Sequence, residues 1–116
     1  MFIIEDNRIF LTRGDTAVIE VTLENMDKSE YVLQSGDTLI FRMKRAATKS
    51  PSEILMEKFA DVTETDVTFS ITPSDTELLG FGLYRYEVEL VTALGEHYTV
   101  LADEEFEIGK ELENHE

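Results

Sequence analysis

Leu83-Tyr84-Arg85-Tyr86-Glu87-Val88-Glu89-Leu90 places Tyr84, Tyr86, Val88 and Leu90 on one side of the chain and Leu83, Arg85, Glu87 and Glu89 on the other. Strict alternation over eight residues has the period of a strand with one dry and one wet face, and it is incompatible with an amphipathic helix. The same period runs through three other segments. Ala17, Ile19, Val21 and Leu23 alternate with Val18, Glu20, Thr22 and Glu24; Leu39, Phe41 and Met43 with Ile40, Arg42 and Lys44; and Val67, Phe69 and Ile71 with Thr68, Ser70 and Thr72. Shorter candidates lie at 8–12, 54–59, 96–101 and 105–108, which makes about eight strands. Segment 54–59 breaks the pattern, because Leu55 and Phe59 share a side with Glu57 while Ile54 and Met56 share one with Lys58. It reads as an edge strand.

The punctuation between these segments supports the same reading. Gly14-Asp15-Thr16 recurs 22 residues later as Gly36-Asp37-Thr38, each just ahead of a regular strand. Glycine supplies a positive φ and aspartate can close an Asx-turn, so the repeat describes two strand entries built alike. Thr92-Ala93-Leu94-Gly95-Glu96 suits a hairpin loop with Gly95 in the left-handed region, joining 83–92 to 96–101. After Thr72-Pro73, the spacing of Ser74 and Glu77 predicts a capping box that opens a short helical turn over 74–79, with a stop at Gly80. Residues 25–37 and 45–53 are polar loops. The expected architecture is all-β: an immunoglobulin-like antiparallel β-sandwich of about 7–9 strands with one short helical turn near 74–79, spanning residues 1–110, and an acidic, frayed tail at 111–116.

Composition bounds what such a domain can do. A chain of 116 residues and 13.3 kDa is one domain, long enough to bury a core without disulfides or metals. Cysteine is absent, which removes thiol catalysis and cysteine-ligated zinc or iron–sulfur clusters. With 25 acidic and 10 basic residues the formal charge is −15, an unfavourable balance for nucleic-acid phosphate or an anionic membrane. The apolar content of 42% is that of a folded domain rather than a disordered acidic tail. The N-terminal 25 residues lack a basic region followed by an apolar one, and there is no long apolar run. The expectation is therefore a protein without signal peptide or membrane span, made and retained in the cell unless a virion carries it.

Candidate chemistry is sparse. His97 sits in a strand segment and His115 at the chain end, and no serine is flanked by the glycines of a nucleophile elbow. No catalytic residue, cofactor-binding residue or cofactor is assigned. Asp103, Glu104, Glu105 and Glu107 lack the alternating ligands of a dedicated calcium loop and read as a solvated acidic turn, so no metal site is assigned. Arg13-Gly14-Asp15 spells a cell-attachment tripeptide whose glycine and aspartate already have turn duties. Basic residues concentrate within 38–52, a window free of acids. Arg42, Lys44, Arg45 and Lys49 there form a candidate docking patch, with protection against edge aggregation as the alternative role. Phe2, Ile3 and Ile4 form a short apolar run that either makes an edge strand of the chain's own sheet or augments a neighbour's. Beyond residue 86, ten acids face a single Lys110.

Two ordered stretches carry a family resemblance. Ile9-Phe10-Leu11-Thr12-Arg13-Gly14-Asp15-Thr16 leads into the alternation of Ile19, Val21 and Leu23; Ile71-Thr72-Pro73-Ser74-Asp75-Thr76-Glu77-Leu78-Leu79 leads into Gly82-Leu83-Tyr84-Arg85-Tyr86-Glu87-Val88. Gly95, Tyr98-Thr99-Val100-Leu101 and Phe106-Glu107-Ile108 follow in order. Over residues 8–108 this resembles the small immunoglobulin-like domains of tailed-phage and prophage structural proteins, particularly the N-terminal domain of upper baseplate proteins. Tyr84-Arg85-Tyr86 also resembles the tyrosine corner of immunoglobulin folds, with Tyr86 where antibody domains carry a cysteine. The resemblance implies a non-enzymatic structural module of a tail or baseplate, a virion component assembled in the host cytoplasm. Its partners would be other phage structural proteins, with a homo-oligomer as a further option and neither nucleic acid nor membrane. Upper baseplate proteins continue into fibrous parts beyond this domain, so a stand-alone accessory protein or one domain of a longer chain is expected. Two other classes compete. An acidic inhibitor or DNA mimic would occupy a partner's basic groove, and a carbohydrate-binding sandwich would use exposed aromatics. For the latter only Tyr31 qualifies, because Tyr84, Tyr86 and Tyr98 fall on expected core faces.

Overall fold

A computed structural model describes residues 1–24, 29–45, 53–63 and 66–110. These form nine strands and one helical turn: β1 Phe2–Glu5, β2 Arg8–Thr12, β3 Ala17–Glu20, β4 Thr38–Arg45, β5 Ile54–Phe59, β6 Asp61–Val62, β7 Val67–Ile71, α1 Pro73–Thr76, β8 Gly82–Val91 and β9 His97–Gly109. They assemble into a six-stranded sheet of order β1-β2-β9-β8-β4-β5 and a three-stranded sheet of order β3-β7-β6. The two sheets face each other as in a sandwich, and β5 lies at an edge as its broken alternation predicts.

The inward side chains of the four alternating segments meet between the sheets. Phe41 of β4 stacks on Tyr86 of β8, with centroids 5.1 Å apart and planes at 22°, while Phe69 and Phe106 lie 5.7 and 6.1 Å from Phe41. Leu11, Ile71 and Ile108 are fully buried around them. Burying each such side chain contributes roughly 1.5–3 kcal/mol, so these few positions dominate the apolar stabilisation. Tyr86 keeps its hydroxyl on the carbonyl of Asn7, and burial, with Glu104 nearby, pushes that hydroxyl's pKa up to about 12.

The expected wholly antiparallel sheet is corrected at one place. β2 runs parallel to β9, pairing Ile9 with Phe106 and Leu11 with Ile108, so the sheet is mixed. The reason lies in the β1–β2 hairpin. Asp6 and Asn7 hold φ of 51° and 67° between paired Glu5 and Arg8, the two-residue turn for which these side chains are suited. That reversal leaves β2 beside the last strand and pointing the same way. Parallel neighbours require only a long connection, here most of the chain.

Segments 96–101 and 105–108, expected as two strands, are one strand, β9. Its register against β8 shifts between Tyr86 and Val88 and again between Val88 and Glu89, and Asp103 takes a φ of 55°. Two β-bulges therefore lie in β9, one between Leu101 and Glu104 at the start of the acidic segment and one between Thr99 and Leu101, and bulges bend a strand without ending it. Arg85 braces the bend, its Nε 3.0 Å from Asp103 Oδ1 and its Nη1 3.5 Å from Glu105 Oε2.

The helical turn also differs in detail. Pro73 occupies its first position and Thr72 its N-cap, and the Asp75 carboxylate accepts from the Thr72 N–H at 2.7 Å. The ring fixes φ at a helical value, which makes Pro73 the natural first residue; Glu77 falls at the other end and Ser74 is not the cap. Buried Thr76 accepts from the Gly14 N–H at 2.9 Å, tying this turn to the β2–β3 connection. Tyr84 Oη donates to the Gly80 carbonyl at 2.7 Å, four residues upstream. The 92–96 loop is a hairpin as expected, with Gly95 at φ 86° and Thr92 N–H donating to the Glu96 carbonyl at 2.8 Å.

Candidate functional site

Cross-strand register decides the environment of the basic window. Arg42 lies opposite Glu87 on β8 and Glu57 on β5, and Lys44 opposite Arg85. Directly opposed side chains on one sheet face stand within reach of each other. Arg42 Nε accordingly lies 2.8 Å from Glu57 Oε2 and its Nη1 2.9 Å from Glu89 Oε1 and 3.6 Å from Glu87 Oε2; Lys44 Nζ lies 3.3 Å from Glu87. His97 Nδ1 adds a contact of 3.1 Å to Glu89. The Arg42 guanidinium, and secondarily His97, hold the Glu89 carboxyl below its ordinary pKa. Arg45 pairs with Glu53 at 2.7 Å, and Lys49 lies outside the described residues. The three described members of the candidate docking patch are therefore engaged by the chain's own carboxylates, Arg42 and Lys44 on the outer face of the six-stranded sheet and Arg45 at the end of β4.

Other singled-out residues likewise have partners within the chain. Arg13 sits 4.1 Å over the Phe81 ring and donates to the Leu79 carbonyl at 3.2 Å, while Asp15 holds the amino terminus. Glu105 is shared by Arg8 and Arg85. Asp37 gathers three donors: Tyr31 Oη at 2.7 Å, Gln34 N–H at 2.9 Å and Ala93 N–H at 3.1 Å. Those bonds, Tyr31 first, lower its pKa and join the loop ahead of β4 to the β8–β9 hairpin. Phe2, Ile3 and Ile4 form β1, which pairs with β2 at the edge of the chain's own sheet, leaving Ile3 and Ile4 about half exposed.

One concavity is not shown by the alternation pattern. An open groove of about 1000 Å³ runs between the sheets, with Tyr86, Val88 and Leu90 of β8 along its floor and Ile19, Val21 and Leu23 on one wall. Tyr98, Val100 and Leu101 of β9 form the facing wall, and Tyr31 and Ile4 also line it. Tyr98 is 52% exposed, which corrects its expected core position. Tyr98 pairs with Leu90 and keeps the core-face parity of Phe106, so it points to the groove side, but at this open end of the groove it stays exposed. Two strand edges border the groove. β3 pairs only with β7, and among the described residues the stretch of β9 from His97 to Glu104 pairs only with β8, because β2 accompanies β9 only from Phe106 onward.

The groove is apolar inside and acidic outside. Glu20, Glu24 and Glu96 are its charged lining residues, all three exposed, and none forms an ion pair with another described residue. The alternation of Glu20 and Glu24 with apolar neighbours was legible as a wet face, but their convergence with Glu96 on one opening was not. Among the described residues no group of three or more histidine and acidic side chains is arranged to hold a metal ion. No helix among the described residues is long and apolar enough to cross a membrane. Compared with known protein families, curated proteins and solved structures, the chain has no match.

Proposed function

We propose that this protein is a non-enzymatic structural module that works through protein–protein contacts in a larger assembly, specifically a tail or baseplate of a phage or prophage. The observation that carries the assembly reading is the unpaired edge of β9 beside an apolar groove, since exposed strand edges recruit other chains. An immunoglobulin-like description of the sandwich draws support from the hydrogen bond of Tyr84 to Gly80, the geometry of a tyrosine corner. The phage setting rests on the resemblance of residues 8–108 to baseplate domains. The acidic-inhibitor reading draws less support, because Glu57, Glu87, Glu89 and Glu105 are paired with arginine.

Carbohydrate binding has one observation in its favour: Tyr31 and Tyr98 line the same groove. Titration of purified protein with mono- and oligosaccharides, followed by tyrosine fluorescence, tests it directly.

Assembly is tested by affinity capture of the tagged protein from induced or infected cells, with identification of what is retained. Recovery of tail or baseplate proteins is the expected result. Recovery of a nuclease or repressor in their place would overturn it in favour of an acidic inhibitor.

A further inference from the structure

We infer that the groove between β3 and β9 is a strand-acceptor site for an extended, apolar segment of a partner protein carrying lysine or arginine at its flanks; this inference rests on the assembly reading and names its contact site. Three observations converge on that occupant. The edge of β9 over His97–Glu104 presents backbone groups with no strand beside them among the described residues, so an incoming chain can extend the six-stranded sheet where β2 leaves off. A strand rises about 3.3 Å per residue, so seven residues span the edge from His97 to Asp103. Alternate side chains of an added strand point to one face, and here that face is the apolar groove walled by Tyr98, Leu101, Ile19 and Leu23.

Charge selects the partner. Glu20, Glu24 and Glu96 stand around the opening, and among the described residues no lysine, arginine or histidine lines it. A second copy of this chain brings a net charge of −15 against the same sign, whereas basic flanks on an apolar segment gain from all three carboxylates. Main-chain hydrogen bonds would supply affinity and the groove would read alternate side chains, the usual division in strand addition.

The test uses the whole chain and a synthetic peptide of seven alternating valine and threonine residues with two lysines at each end. Binding is followed by calorimetry and by amide exchange over residues 97–104. The expected result is saturable binding that slows exchange at these amides, weakens when glutamates replace the lysines, and vanishes when prolines replace alternate threonines. Tyr98→Asp is expected to reduce affinity by about tenfold or more, with the thermal midpoint unchanged because Tyr98 is half exposed. Binding that survives the prolines would show apolar adhesion without strand pairing and overturn the inference, as would no binding at millimolar peptide. Dimerisation by light scattering that Tyr98→Asp abolishes would identify a second copy as the occupant and also overturn it. If Tyr98→Asp still captures the same tail proteins from cells, the groove is refuted while the assembly reading stands.

Discussion

Side-chain hydrogen bonds at Tyr84 and Asp37 hold the strand ends that shape this domain. Tyr84 is almost completely buried, and its hydroxyl satisfies the Gly80 carbonyl on the approach to β8. Tyr84→Phe keeps the ring and leaves that carbonyl without its partner, so stability is expected to fall by about 1 kcal/mol, measured as a lower urea midpoint with unchanged slope. At the β4 entry, Gly36 has φ 91°, and a methyl group there would stand 2.8 Å from the Ala93 Cβ. Glycine is needed on both counts, for backbone conformation and for the close approach of two loops. The turn role of Gly36-Asp37 was readable from residue type. The tie from Asp37 to the Ala93 N–H was not, because 56 residues separate the two groups and only folding brings the loops together.

At the level of strands, the outer face of the large sheet behaves as one charge lattice centred on Arg42. Its guanidinium serves Glu57, Glu87 and Glu89 from the middle of three adjacent strands, and it is 21% exposed, so solvent screens it less than a free surface pair. Arg42→Met keeps the apolar stem and strands three carboxylates side by side. The expected loss at pH 7 is about 1–2 kcal/mol, between an exposed pair and a buried one. Glu89, whose folded pKa lies below the ordinary 4.5, contributes stability that is present above 4.5 and disappears as pH falls through the depressed value. Chemical denaturation of wild type and Arg42→Met across pH 3–7 is therefore expected to show curves that converge at the acid end. The strand pattern itself was legible: four alternating segments, an edge strand at 54–59 and a hairpin at 92–96 follow from a period of two and turn chemistry. The continuity of β9 through its bulges was not, since Asp103-Glu104-Glu105 has the composition of a turn and is kept in the strand by Arg85 and Arg8 from neighbouring strands.

For the whole molecule, the charge of −15 and the two-sheet architecture act together. A minority of the carboxylates are balanced locally on the outer face, but the excess repels itself, and salt weakens that repulsion. Thermal unfolding is expected to shift upward by several degrees between 10 and 200 mM sodium chloride. A midpoint that falls instead would mean that the Arg42 lattice outweighs the net charge. The sheets are unequal, six strands against three, and the uncovered end of the larger one becomes the groove. Alternation and turn residues are local, each written in a few consecutive positions, and they suffice to specify a cysteine-free, sandwich-like domain of half-buried strands. Only the tertiary structure decided that β2 lies parallel to β9, that Arg42 and Lys44 are internally paired, and that Tyr98 faces an acidic-rimmed groove. Those depend on which strands become neighbours and in what register, and residues far apart in sequence acquire a common environment only when the sheets close on each other.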